Sequence, residues 1–418
     1  MLRFRIADSG IKIAYFKSQI SNVKYSVLFL SLCLRGGIHC PAGELTFERI
    51  VIDADFPGGY QVEVADVNGD GRPDVVGLGG GTCAWFENPT WKKRVVSTPR
   101  ETPGIISSAT ADLDGDGKAE IAIAYEFAAD EPTRGELALA SQEDGGRWRL
   151  THIAHVGSIH RLRWGDLDGD KARELVVAPL FGRLVKPPTY DQDNAQLVCF
   201  HTGANPRPGR WRVESIGERP VVHAIEVRPV GGPVEEILTA DNLGVAIYSL
   251  AGDGSRRDLI PGAPGTAPRR GSSEVHLGKL KDGRAFLATI DPWHGNQVAV
   301  CLGGPPNSSG PRLLGPFGPR SVIDATLADG HALWVADADG DGDDEVFAGH
   351  RGADHRVSAY DFNGTTWDGT VIDRDIAAQD LRGGDLDGDG TPDVVAIGGQ
   401  THNVVWYRPK TRPKPEGK

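Results

Sequence analysis

No stretch of this 418-residue chain is apolar for long enough to cross a bilayer as a helix, which needs about 20 residues. The longest candidate, "VLFLSLCL" at 27–34, has eight residues including a serine. Cysteine is scarce. The five residues Cys33, Cys40, Cys83, Cys199 and Cys301 form no CxxC pair and have no histidine at zinc-finger spacing. That excludes a disulfide scaffold and a structural zinc module. Positive charge is in deficit, with 45 Lys and Arg against 57 Asp and Glu and a net charge of −12. The expected partner is therefore not a nucleic acid. Stretches with helical periodicity are few, and no Ser-His-Asp series, phosphate-binding loop or close carboxylate pair stands out.

What is present at the N-terminus reads as an export signal. Basic residues run up to Lys24, the apolar run follows, and Gly36 and Gly37 supply small residues after it. Residues 1–43 are thus expected to form an extension with a signal, 44–410 a single folded domain, and 411–418 a disordered basic tail. The protein is expected outside the cytoplasm. "GIHC" before Cys40 is a poor lipidation site.

The domain is expected to be a repeat. Five loops recur: "DVNGDGRPD" (66–74), "DLDGDGKAE" (112–120), "DLDGDKARE" (166–174), "DADGDGDDE" (337–345) and "DLDGDGTPD" (385–393). Carboxylates at alternate positions of a tight glycine-containing turn converge on one hard cation, because calcium takes 6–8 oxygens. The ligand sets would be Asp66, Asn68, Asp70 and Asp74; Asp112, Asp114, Asp116 and Glu120; Asp166, Asp168, Asp170 and Glu174; Asp337, Asp339, Asp341 and Glu345; and Asp385, Asp387, Asp389 and Asp393. An EF-hand would need glutamate at position 12, where Gly77 and Ile123 stand, and alternating apolar runs flank each loop. Each loop therefore belongs in a β-hairpin, with up to five structural calcium ions in the chain.

The interval between Asp166 and Asp337 holds two degenerate copies, "VHAIEVRPVGGPVEEILTA" (222–240) and "SEVHLGKLKDGRAFLATI" (273–290), which keep the strand-turn-strand rhythm without the carboxylates. Seven repeats of four short strands predict an all-β fold, a seven-bladed β-propeller with a calcium loop between strands one and two. The last repeat supplies only three strands. The unpaired strand pattern "FERIVIDADF" (47–56) is expected to complete it and leave no open edge. Cys83, Cys199 and Cys301 fall in third strands of alternate blades, too far apart to bridge.

If the loops cap one end, strand one begins about 20 Å away at the other end, six residues back at ~3.3 Å each. The residues there are Tyr60, Ile106, His160, His223, Ser273, His331 and Gln379. Three histidines in register at the channel mouth suggest a site. The loops between strands two and three return to the same end. They carry Asp241 and Asn242, "DPWHGN" (291–296), "GHRGADH" (349–355) and "GQTHN" (399–403). His294, His350, Arg351, His402, Asn296 and Asn403 join the candidates, with Trp293 as a flat surface for a sugar ring. Histidine titrates near neutrality and suits proton abstraction or binding of a further divalent metal.

The loops followed by "PDVV" or "KAEIAIA" resemble FG-GAP/VCBS-type repeats, the blades also found in integrin α-subunit heads. "IHRLRW", "VHAIEV", "DPWHGNQVAV" and the segment from His331 to "ADADGDGDDE" look, in that order, like the propeller domain of the fungal aldos-2-ulose (1,5-anhydro-D-fructose) dehydratase family. That resemblance implies removal of water from a ketosugar, a bound metal, and catalytic roles for His160, His223, His294 and His331. The family's cupin region, which carries an isomerase step, is not expected within these 418 residues. A non-catalytic propeller binding carbohydrate or protein is the other reading.

Overall fold

The computed structural model describes residues 45–410 except 144, 204–205, 207–208, 210, 231, 233, 252–254, 306–313 and 315. The expected export signal, Cys33, Cys40 and the basic tail lie outside the described residues. All regular structure among the described residues is β, in thirty strands.

Seven four-stranded antiparallel sheets follow one another along the chain as blades 1 to 7. Blade 3 is representative: Ile159–Gly165, Glu174–Pro179, Ala195–His201 and Arg212–Arg219, each pairing with the next. Second strands such as Glu174–Pro179 and Asp393–Gly398 are buried at every residue. Their unbroken apolar runs reflect sheets covered on both faces. Fourth strands such as Lys92–Ser97 start with four exposed residues and face solvent.

The first strands are neighbours in a closed circle from blade 1 to blade 7 and back. Seven hydrophobic clusters each join two adjacent blades, including one between blades 7 and 1. Strand pairing between the two ends of the domain closes the circle too. Phe47–Asp53, from the N-terminal side, pairs with Val404–Pro409 and becomes the fourth strand of blade 7, as the sequence predicts. Arg49 then reaches Asp373 of blade 6 at 2.7 Å, where Tyr407 also donates its hydroxyl at 2.6 Å. Cys83, Cys199 and Cys301 sit in third strands of blades 1, 3 and 5, buried and unbridged.

Alternate residues of the first strands meet at the axis. Arg161, Arg163 and Arg382 interact there with Glu63, Glu274 and Asp380 from blades 1, 5 and 7. Burial, with Arg382 next to it, lowers Arg163 to about 10. Charges of both signs keep this interior close to neutral, which is what makes burying them tolerable.

Candidate functional site

The histidines emerge at the start of the inner strands, and in four blades a backbone irregularity lies at that position. The pairing register slips between Gly59 and Gln61, Ile159 and Arg161, Gly330 and Ala332, and Ala378 and Asp380. The residues inside those slips are Tyr60, His160, His331 and Gln379. A bulge leaves one residue unpaired and re-aims its side chain. His223 and Ser273 precede their strands and are held by N–H bonds to Ala240 O and Ile290 O, at 3.0 and 2.7 Å.

Four histidine rings from blades 3, 4, 5 and 6 converge. Ring centroids lie 5.0 Å apart for His160 and His223, 4.8 Å for His223 and His294, 5.0 Å for His223 and His331, and 5.2 Å for His294 and His331. Tyr60 closes the group, with its hydroxyl 3.1 Å from His160 Nε2 and its ring 5.4 Å from that of His331. His294 arrives from the strand two to strand three loop of blade 5 and takes a positive φ of 49°.

The hydrogen bonds select tautomers. His331 donates Nδ1–H to Gln379 O at 2.6 Å, so Nε2 carries the lone pair; that atom is buried without a partner. His223 Nδ1 lies 2.9 Å from Ser273 O, which accepts its proton, and 2.9 Å from Glu274 Oε1. His223 Nε2 then faces His294 Nε2 at 3.0 Å. On its other side His294 Nδ1 has Arg351 at 3.3 Å and Asp329 Oδ1 at 3.6 Å. Arg351 also donates to Gln379 Oε1 at 2.9 Å and to Asp329 at 2.8 Å.

Burial, followed by the charges of Arg161, Arg351 and neighbouring histidines, holds His160, His223 and His331 well below the ordinary imidazole range, and His294 is lowered in the same way. All four are therefore neutral near pH 7, the form that ligates metal or accepts a proton. His223, His294 and His331 each offer a nitrogen within 4.8 Å of the others. The orphaned His331 Nε2 and a second-sphere carboxylate at His223 are what a divalent cation bound by three imidazoles would use.

Beside the cluster is a cavity of about 320 Å³, lined by Tyr60, His160, His223, Trp293 and His294. Its wall is aromatic. Phe181 and Tyr190 stack at 4.8 Å and 12°, and Trp293 meets both edge-on at 6.0 Å. Phe127 adds a ring 5.6 Å from His160. The hairpin Ala263–Thr266 with Arg269–Gly271 places Arg269 over the site, donating to Trp293 O at 3.2 Å and His294 O at 2.9 Å.

Other candidates are not brought into this group. His350 sits at a strand end, between Ala328 O at 3.2 Å and Arg356 at 3.1 Å. Asn296 and Asn403 brace loops through Ala325 O and Asp375 O. His402 is exposed, and its carbonyl accepts Phe56 N–H. Phe127, Phe181, Tyr190, Arg161, Glu274 and Asp329 are in or behind the site without having been singled out from sequence. The only available signal was the unusual length of the loops 126–135 and 180–194.

At the far end the acidic loops share one device. The ninth residue, Asp74, Glu120, Glu174, Glu345 or Asp393, accepts the N–H of the second residue at 2.7–3.0 Å. In blade 6, Asp337, Asp339, Asp341 and Glu345 gather within cation reach, and the buried Glu345 Oε1 and Asp337 Oδ1 have no protein partner. Burial first, and the nearby aspartates next, push Glu345 up to about 10. Groups matching a cation also occur at Asp112, Asp114 and Glu120 and at Asp166, Asp168 and Asp170.

The fold defines the class, a seven-bladed β-propeller, and residues 66–123 match the family described as FG-GAP-like repeat. Within it, residues 137–303 match the family described as aldos-2-ulose dehydratase, beta-propeller domain. Over 363 aligned positions the chain is 24% identical to aldos-2-ulose dehydratase of Phanerodontia chrysosporium, covering 76% of this chain. The chain spans 39% of the length of that relative. Among solved structures, the extracellular domain of a one component system from B. thetaiotaomicron aligns at TM-score 0.49 and 11% identity, over 86% of this chain and 39% of that one.

Proposed function

We propose that the protein is a carbon–oxygen lyase acting on a ketosugar by β-elimination. The observation that carries this reading is the convergence of four neutral histidines from four blades beside an aromatic cavity; the similarity to aldos-2-ulose dehydratase supports it.

The chemistry needs a base for the proton next to the carbonyl, stabilisation of the enolate, and a proton for the departing oxygen. A divalent cation held by His223, His294 and His331 would supply positive charge for the enolate oxygen. His160 and Tyr60 are then left to move protons. With Nε2–H on the Tyr60 oxygen, His160 Nδ1 is a base; with Nε2 accepting from Arg161 at 3.1 Å, Nδ1–H is a donor. Burial and Arg161 keep the ring neutral before reaction, so the imidazolium formed is a strong acid toward the leaving oxygen. Arg351 and Arg161 add fixed positive charge. Trp293 and Tyr190 give the sugar flat apolar contacts.

In the same reading, calcium fills the acidic loops at the opposite end, supported by the orphaned oxygens of Asp337 and Glu345. The protein is exported behind the apolar run at 27–34, into surroundings where calcium is abundant. No helix among the described residues is long and apolar enough to cross a membrane. Incubation with a panel of 2-keto and 3-keto sugars, watched for enone absorbance, tests the reading. A non-catalytic glycan-binding propeller would bind sugars and yield no enone with any of them.

A further inference from the structure

The connection between strands two and three is not the same in all blades at the site end. It spans only 80–81 in blade 1 and 242–243 in blade 4, but 126–135 in blade 2 and 180–194 in blade 3, the longest of the seven. Long ordered loops in compact domains are usually functional. The blade 2 loop lines the histidine cavity through Phe127 and Ala129, and the blade 3 loop also borders a half-open groove of about 500 Å³ between the fourth strand of blade 2 and blade 3.

This groove meets the histidine cavity at a single shared residue, Phe181, which lines both. Its floor comes from Val156 and Gly157 at the end of blade 2 and from Val198 and Phe200 of blade 3. Its polar rim is Arg183, Asp193, Asn194, Gln196 and Glu218, with His155 opposite. Asp193 braces the loop through Leu184 N–H at 3.0 Å, and His155 pairs with Glu136 at 3.0 Å. Arg183, Asn194 and Glu218 are exposed on the rim, available to a ligand.

We infer that the groove is a second sugar subsite, and that the substrate is a glycoside whose ketosugar ring occupies the histidine cavity while the leaving sugar lies across Phe181 between blades 2 and 3. This rests on the lyase reading of the histidine site. A cavity of about 320 Å³ with an aromatic wall takes one ring, and the neighbouring groove on the other side of Phe181, with an apolar floor and a donor-acceptor rim, takes the next. The mixed rim suits hydroxyl groups, which both donate and accept, more than a charged or purely apolar group.

The elimination balances without any oxidant. The α-carbon loses its proton to the protein, its electron pair forms the carbon–carbon double bond, and the bond from the β-carbon to the glycosidic oxygen breaks. That oxygen takes up a proton and departs as a free sugar hydroxyl, leaving an enone sugar.

Two measurements test this. Titration calorimetry of the unmodified protein with cellobiose, maltose and glucose reads the groove without turnover. A disaccharide is expected to bind at least about tenfold more tightly than glucose, and Arg183→Ala is expected to remove that gain, the effect of one hydrogen bond to a charged group. The ratio of kcat/KM for a ketodisaccharide over the matching ketomonosaccharide should fall about tenfold in Arg183→Ala and again in Glu218→Gln. Equal binding of glucose and both disaccharides, or a ratio unmoved by both variants, overturns the subsite. Disaccharide binding that depends on Arg183 without reaction of any ketosugar leaves the subsite standing and removes the lyase reading.

Discussion

Replacing Glu345 by Gln keeps the shape and the bond from Ala338 N–H at 2.7 Å but removes one charge from the blade 6 loop. In wild-type protein with calcium at a hundredfold excess over its dissociation constant, one filled site adds about 2.7 kcal/mol of stability. Unfolding the unit Leu45–Lys418 carries an entropy of about 0.8 kcal/mol/K, from ~2.1 cal/mol/K per residue. One lost site therefore lowers the melting temperature by roughly 3 °C. In excess chelator the difference should vanish. Burial and the nearby aspartates then keep Glu345 protonated at neutral pH, so a neutral acid in the wild type is compared with a neutral amide in the variant. Scanning calorimetry of both proteins, with calcium and with chelator, reads the loss of the difference. A difference of the same sign and size in both buffers would mean that Glu345 is only a hairpin brace.

Three further outcomes are expected. Burial pushes the Cys83 and Cys199 thiols far up and Cys301 to about 11, so none of the three should react with a thiol reagent at pH 8 until the protein is denatured, as peptide mapping would show. Burial opposes ionisation of Glu226, but His276 at 3.1 Å, Arg228 and Leu277 N–H outweigh it and hold the carboxyl below its usual range. Its contribution is therefore present above the unfolded carboxylate pKa and lost as pH falls through the folded value; Glu226→Gln should flatten the acid limb of a stability-versus-pH curve, and an unchanged limb would remove Glu226 from that account. Trp293→Ala should weaken binding of a ketosugar by about tenfold through lost ring contact, with the far-end loops and their cation content unaltered.

Much of this architecture is legible before any coordinates. Carboxylates at a fixed spacing mark the first hairpin of five blades, and the apolar runs after them mark strands buried on both faces. The strand at Phe47–Asp53 is identifiable because one repeat lacks a fourth strand. The inner-strand histidines are also legible, since counting back from an acidic loop crosses a strand of constant length. Side-chain direction is not. His294 and His402 both lie in strand two to strand three loops with positive φ, 49° and 56°, yet one packs on His223 and the other faces solvent. That difference depends on how far each loop leans toward the axis, which the packing of neighbouring loops decides. The bulges at Tyr60, His160, His331 and Gln379 leave no mark in hydrophobic alternation. Phe127, Phe181 and Tyr190 are single aromatics in long loops and acquire meaning only when the loops fold over one cavity. Glu274 and Arg161 read as ordinary polar alternation in a strand until closure of the ring makes them neighbours.

The central claim is that the histidine cluster performs elimination while the acidic loops only support the blades. The most direct test is enone formation from a ketosugar that the wild type converts, followed in His160→Ala and Asp168→Ala under conditions where circular dichroism shows both folded. The account predicts that His160→Ala loses turnover by at least about a hundredfold, the scale of a lost acid–base group, while Asp168→Ala keeps its rate and melts at a lower temperature. An active His160→Ala enzyme, or loss of activity in folded Asp168→Ala, would contradict it.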